Sequence, residues 1–205
     1  MKKLLLLTTV LSLAIPSFAQ NPDEPKTIFD TEQINGFGQF DVKYSLIMDE
    51  PVLLLGGQGG LILNRHVLVG VSAHSMAYKV SVPSENPSQS LHLHMGYSGL
   101  LLGYIVAPVK VIHVSFPLTL GAGIASISNK VNSEFNNSSV YVDVENSIFL
   151  FAEPSVQLEI NVMKFLKLSI GGSYRLNHSL ELQSPVTSSD LNNWTGNVSI
   201  ALGKF

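Results

Sequence analysis

The chain has 205 residues, of which 45% are apolar and only 13% charged, with a formal net charge of −3 and no cysteine; about 25% charged is usual. The lack of cysteine excludes disulfides, thiolate chemistry and Cys-based metal sites, and mild acidity with no basic cluster speaks against nucleic acid as a partner. Mean hydropathy is +0.28, yet no internal run approaches the roughly 20 apolar residues of a membrane helix; that combination suits a membrane β-barrel, whose apolar residues are diluted one to one by polar ones.

Residues 1–19 read as a signal peptide. Lys2 and Lys3 precede the apolar stretch Leu4–Ile15, and Ser17-Phe18-Ala19 forms a small-x-small site with cleavage after Ala19. Gln20 follows where a lipoprotein would need Cys. Loss of Lys2 and Lys3 leaves ten bases against fifteen acids. Residues 20–34, with Pro22 and Pro25 among acidic side chains, read as a flexible leader, and 35–205 as the barrel.

Eight strand-like segments follow. In the first, about Phe37–Ile47, Phe40, Val42, Tyr44 and Leu46 alternate with Gln39, Asp41, Lys43 and Ser45. The second, about Val52–Leu63, holds Gln58 between paired glycines. The third is about Val67–Val80, with Val67, Val69, Val71 and Ala73 opposite Gly70, Ser72 and His74. The fourth, about Leu91–Val106, has an ambiguous facing around Leu100-Leu101-Leu102. The fifth is about Val111–Ser126, and Asn129–Asn146, rich in Asn and Ser, reads as the longest loop.

The sixth and seventh form the clearest hairpin. Ala152, Pro154, Val156, Leu158, Ile160 and Val162 alternate with Glu153, Ser155, Gln157, Glu159 and Asn161. After Met163-Lys164, Leu166, Leu168, Ile170, Gly172, Tyr174 and Leu176 alternate with Lys167, Ser169, Gly171, Ser173, Arg175 and Asn177. Each segment exceeds the roughly 9–11 residues of a tilted membrane-crossing strand. The eighth, about Trp194–Phe205, sets Val198, Ile200 and Leu202 against Asn197, Ser199 and Ala201. Short and long connections alternate, which an even-stranded antiparallel barrel with one tight rim and one long-loop rim predicts.

A soluble barrel buries its apolar face, whereas a membrane barrel turns that face to lipid and fills its lumen with polar groups. Three features favour the membrane sense. The polar face is rich in small residues such as Gly56, Gly60, Gly70 and Ser72. Its charges balance, with Asp41, Glu153 and Glu159 against Lys43, Lys167 and Arg175, as an enclosed ion-pair network requires. Tyr44, Tyr104, Tyr174 and Trp194 lie near strand ends, where aromatic girdles belong. A hairpin turn centred on Lys164 sets Glu153 opposite Arg175, Glu159 opposite Ser169 and Asn161 opposite Lys167. Phe205 ends the last strand, as in outer-membrane barrels that present such a residue to their insertion machinery. Its parity differs from that of Ile200 and Leu202 unless a bulge falls near Gly203-Lys204.

The stretches GGQGGLILNRHVLVGVSAH (Gly56–His74), GYSGLLLGYIV (Gly96–Val106), EPSVQLEINVMKFLKLSIGGSYR (Glu153–Arg175) and LGKF (Leu202–Phe205) together span most of the barrel segment. On these the chain resembles a family of small Bacteroidetes-type outer-membrane β-barrel proteins. Where that family often carries a basic residue within the paired glycines, this chain has Gln58. The resemblance implies fold and location. The family has no established activity, so it implies no catalytic residues.

Other constellations read as structural. His92 and His94 stand at i, i+2, a spacing that can hold a metal, but no third ligand is near in sequence and both border a loop. Ser115 with His113, and Ser72 with His74, invite a hydrolase built with a carboxylate, yet no accompanying motif is present. Glu153 and Glu159 are separated by roughly 20 Å along one strand, too far for a glycosidase pair. The paired glycines precede no helix, so they are not a phosphate loop.

The expectation is an all-β, eight-stranded antiparallel up-and-down transmembrane barrel in the bacterial outer membrane. It is porin-like in wall but monomeric, with a lumen filled by polar groups and no large conductance. Its loops serve a structural, adhesive or surface-binding role, with no catalysis, metal or cofactor. Its partners are outer-membrane lipid, the barrel-insertion machinery through the C-terminal strand, and a surface partner the sequence does not name. Two alternatives stay open: an outer-membrane lipid-modifying enzyme, and a soluble secreted barrel that binds a small apolar ligand.

Overall fold

A computed structural model describes residues 34–48, 50–83, 89–132, 139–178 and 191–205. Residues 1–33, expected as signal peptide and leader, lie outside the described residues, as do residues 49, 84–88, 133–138 and 179–190. The strands are β1 (Ile34–Ile47), β2 (Glu50–Leu63), β3 (Val67–Met76), β4 (Val80–Val82), β5 (Leu91–Val106), β6 (Ile112–Asn132), β7 (Ser139–Met163), β8 (Leu166–His178) and β9 (Asn193–Gly203). β4 has three residues and pairs only with the start of β5. The eight long strands pair antiparallel in chain order. β3 pairs with β5 past β4, and β1 pairs with β9, so the ring closes. The fold is the all-β, eight-stranded up-and-down barrel that the alternation predicts.

The period of two decides the facing on every wall. Val156, Ile170 and Val198 are 51%, 59% and 57% exposed, while Asp41, Gln157, Ser169 and Ser199 on the same strands or their neighbours are buried. Polar groups lie inside and apolar ones outside, the inverse of a soluble barrel. On β6 the outward apolar positions run from Ile112 to Ile124. At about 3.3 Å per residue and about 45° tilt they make a belt on the order of 25–30 Å tall, the height of a bilayer's hydrocarbon core. Tyr44, Tyr174 and Trp194 edge it at the long-loop end, with the last two rings 5.0 Å apart, and Tyr104 edges it at the tight-turn end.

β5 resolves the facing that its leucine run leaves open. Leu93, Met95, Tyr97, Leu101 and Ile105 point inward; Leu100, Leu102, Tyr104 and Val106 point outward. Its run is apolar on both faces because here the lumen is also apolar. The stretch Asn129–Asn146, expected as a loop, is mostly strand: Asn129 pairs with Val142 and Lys130 with Tyr141. Tyr141, Val142 and Val144 favour a pleated ribbon, and a register shift between Ile127 and Ser128 marks its root.

Local chemistry sets the joints. Asn64 and Arg65 both have positive φ, and His66 N–H donates to Leu63 O at 3.0 Å, a type I′ hairpin turn. Pro117 falls in a gap of the β6–β7 ladder and Pro154 in a gap of the β7–β8 ladder, with no register shift at either, and Ser155 Oγ donates to Pro117 O at 2.9 Å. Each proline lacks the N–H a ladder needs. Gly60 faces Gly70 across β2–β3, and Gly99 faces Gly121 across β5–β6. A Cβ on Gly70 or Gly121 would run into the backbone of the facing strand, so these strands approach as only glycine permits.

Candidate functional site

The lumen gathers the chemistry, and it is layered. At the long-loop end it is an apolar core of Ile47, Val52, Leu54, Leu93, Met95, Ile127, Phe149 and Phe151 with their neighbours. At the tight-turn end a smaller cluster joins Ile62, Leu68 and Ile105 to Phe37 and Phe205. The polar filling expected of the whole lumen is concentrated in its middle and toward the tight-turn end, with Ser128, Ser147 and Asn177 buried beside the long-loop cluster. The correction has a physical source: Val52, Leu54, Phe149 and Phe151 sit in runs apolar at every position, where alternation is silent about facing.

The polar belt brings the six expected charges into two groups. In the first, β1 supplies Asp41 and Lys43. Lys43 Nζ is 2.7 Å from Glu153 Oε1 of β7, and Ser173 Oγ of β8 donates to the same oxygen at 2.7 Å. Asp41 accepts from Gln39 Nε2 at 2.7 Å and from His74 Nε2 of β3 at 2.9 Å. In the second group Glu159 is the hub. Lys167 Nζ lies 2.6 Å and His113 Nε2 2.9 Å from its Oε2, and Ser115 Oγ donates to its Oε1. Asn161 opposes Lys167 and Glu159 opposes Ser169 in the ladder, as the hairpin arithmetic predicts.

The third expected cross-strand pair is corrected. Glu153 takes Lys43 and Ser173 as partners, and Arg175 makes no ion pair among the described residues. The β7–β8 ladder skips Glu153 and Pro154, so the register opposition does not become contact. Arg175 is 0% exposed and lies over the Tyr97 ring of β5 at 4.9 Å. His74 stacks on the same ring at 5.4 Å, and Lys43 stands 5.8 Å from its centroid. Tyr97 is thus the hub of the first group. The sequence signal for it was its odd parity on β5, unreadable while that strand's facing was open.

The catalytic arrangements weighed from sequence do not assemble here. In a Ser–His–acid triad the histidine stands between serine and acid. Here Glu159 stands between Ser115 and His113, and all three are buried. Ser72 Oγ is 3.5 Å from Thr119 Oγ1, while His74 holds Asp41. His92 and His94 each face a backbone carbonyl, of Ser90 and Met76 at 3.0 and 3.1 Å. Among the described residues no three metal-ligating side chains gather. Two voids in the polar belt have volumes of about 10 Å³ each, roughly one water's worth.

Phe205 settles its own parity question without a bulge. Strand β9 ends at Gly203, and the Phe205 ring turns inward onto the Ile62–Leu68–Ile105 cluster, with Lys167 Nζ 4.2 Å from its centroid. Its N–H donates to Lys164 O at 3.4 Å.

No protein-family model matches the chain, and no curated protein matches it. Among solved structures it is similar to the N-terminal β-barrel domain of Pseudomonas aeruginosa OprF, with 13% identity over 82% of this chain and 96% of that one and a TM-score of 0.45. It is similar to Neisserial surface protein A, with 12% identity, 84% and 96% coverage and a TM-score of 0.45. A third is Ail, the attachment invasion locus protein of Yersinia pestis, in complex with the heparin analogue sucrose octasulfate. It shows 12% identity, 83% and 97% coverage and a TM-score of 0.43. The barrel architecture stands on this chain's own strand pairing.

Proposed function

We propose that the protein is an integral outer-membrane β-barrel of the small Bacteroidetes type, exported by its signal peptide. It acts as a monomer, without catalysis, through a structural, adhesive or surface-binding role of its long-loop end. The observation that carries the membrane reading is the inverted barrel: an apolar belt outside on every long strand, around buried ion pairs. In water that exterior is an aggregation surface far beyond the few hundred Å² a soluble monomer tolerates; in a bilayer it is the required solvent-facing side. The same inversion disfavours the soluble ligand-binding barrel. The filled lumen supports a structural wall over a porin, and Glu159 between Ser115 and His113 disfavours a hydrolase. The C-terminal strand is the segment proposed to meet the insertion machinery, with β9's outward Val198, Ile200 and Leu202 available to it.

Fractionation tests this reading. The expected result is recovery in the outer membrane, with a folded band that shifts mobility on boiling in detergent. A soluble periplasmic product would refute it. Unchanged envelope lipids in cells carrying His74→Ala and His113→Ala are expected; an altered lipid would revive the enzyme reading.

A further inference from the structure

The tight-turn mouth of the barrel holds a pocket of about 260 Å³. Its floor is apolar, made of Ile62, Ile105 and Phe205, and Pro108 and Val109 of the β5–β6 turn close one side. Arg65 and Lys204 line it and are exposed. Neither side chain has an ion pair or a hydrogen bond among the described residues. Lys110 and Lys164, in neighbouring turns, are exposed as well. No aspartate or glutamate stands among the pocket's described walls. Lys167 and His113, deeper in it, are committed to Glu159. A carboxylate at the end of the chain would offset one of the four exposed cations and leave the rim positive. The mouth therefore presents uncommitted cations around an apolar cleft.

One wall atom calls for a donor. Asn161 Nδ2 donates to Lys110 O at 3.2 Å, which fixes the way the amide points, and Asn161 Oδ1 is buried with no hydrogen-bond partner among the described residues. His113 Nδ1 is 3.2 Å from the same Lys110 O, and Asn161 N–H donates to Val111 O at 2.9 Å, so the turn that carries Pro108 and Val109 is pinned over the pocket. The site joins cations suited to an anion with a buried acceptor suited to an O–H. Sulfate satisfies the first requirement and lacks the O–H. A phosphate ester with free hydroxyls satisfies both. An apolar cavity of about 150 Å³ admits the six heavy atoms of benzene, so this pocket has room for about ten, as many as glycerol phosphate has. We propose that the tight-turn mouth binds a hydroxylated phosphate ester of the glycerol phosphate class, its phosphate on Arg65 and Lys204 and a hydroxyl on Asn161 Oδ1. The site is separate from the role of the long-loop end. Val109 and Val111, 76% and 66% exposed at this rim, stand beside its lysines as in other basic sites that meet lipid headgroups. The ester therefore comes either free or as the headgroup of phosphatidylglycerol.

Calorimetric titration of the full-length protein in neutral detergent tests this. The parent is expected to bind glycerol phosphate about tenfold more tightly than sulfate, the worth of one hydrogen bond from the ester to Asn161. Arg65→Gln and Lys204→Gln are each expected to weaken glycerol phosphate about tenfold, the effect of losing one charge-assisted contact. Asn161→Ala is expected to bring glycerol phosphate and sulfate to equal affinity while sulfate binding stays as in the parent, which a collapsed pocket would not do. Heat-modifiable mobility checks that each variant is folded. Equal affinity for the two anions in the parent would reduce the mouth to a cationic rim and overturn the proposal. Parent-like binding in both cation variants, or no binding of glycerol phosphate to the parent, would overturn it too. Phosphatidylglycerol added to the micelles, with phosphatidylcholine as the control, separates the two sources. Loss of the glycerol phosphate signal supports the site as one for the lipid headgroup, and an unchanged signal supports it as one for the free ester.

Discussion

Arg175 shows what a single side chain does in this lumen. It is a buried cation whose nitrogens have no hydrogen-bond partner among the described residues, held over Tyr97. A desolvated cation–π contact is worth about 2 kcal/mol, less than the cost of leaving a charge dry. The benefit of Arg175 thus lies in volume and in lumen neutrality. Arg175→Ala is expected to lower stability by about 2–4 kcal/mol, and Arg175→Met by clearly less, since volume is kept and a buried charge is removed. Lys164→Ala, at the exposed turn, is expected to change little. Unfolding midpoints in urea check all three. Equal midpoints for Arg175→Ala and Lys164→Ala would contradict the buried role.

Glu159 behaves differently, because three partners converge on it. Glu159→Gln strands Lys167 without a counter-charge and is expected to cost about 3–5 kcal/mol, whereas Glu159→Met with Lys167→Met is expected to cost less than the sum of the single changes. A double-mutant cycle reads that coupling, and additivity would show the pair to be idle. These residues were legible as an inward, charge-balanced set because alternation reports facing. Which charge meets which was not: Lys43 reaches Glu153 from a strand 110 residues away, and no local pattern encodes contacts across a lumen.

At the level of elements, the sequence rules worked where one face was polar and the other apolar. β1, β7, β8 and β9 face as their alternation requires. β5 was opaque because Leu100, Leu101 and Leu102 are apolar on both sides. The ribbon of β6 and β7 was hidden because Asn and Ser are read as loop formers, although Tyr141, Val142 and Val144 carry strand propensity. Lys79 Nζ, 4.2 Å from the Tyr141 ring, and His92, edge-on to it at 5.2 Å, brace that ribbon against β5 and the segment before β4. Gly60, Gly70 and Gly121 were legible as small lumen residues, Gly99 was not while the facing of β5 was open, and the reason for all four is stronger than crowding by side chains. The neighbouring backbone occupies the Cβ position. Gly121→Val is therefore expected to impair folding more than Ala122→Val, its outward neighbour, by about 1–3 kcal/mol, measured by the folded fraction in a heat-modifiability gel.

For the molecule as a whole, an apolar cluster fills the long-loop end of the lumen and paired charges fill its middle. Reconstituted protein is accordingly expected to show no porin-like conductance in planar bilayers; a steady large conductance would mean the described packing opens. The central claim is that the apolar face meets lipid. Single cysteines at Val156, Ile170 and Val198 can carry a fluorophore in vesicles of ordinary or brominated lipid. The expected result is strong quenching by the brominated chains and little by aqueous iodide at all three sites. Quenching by iodide with none from the brominated lipid would put these residues in water and contradict the inverted barrel.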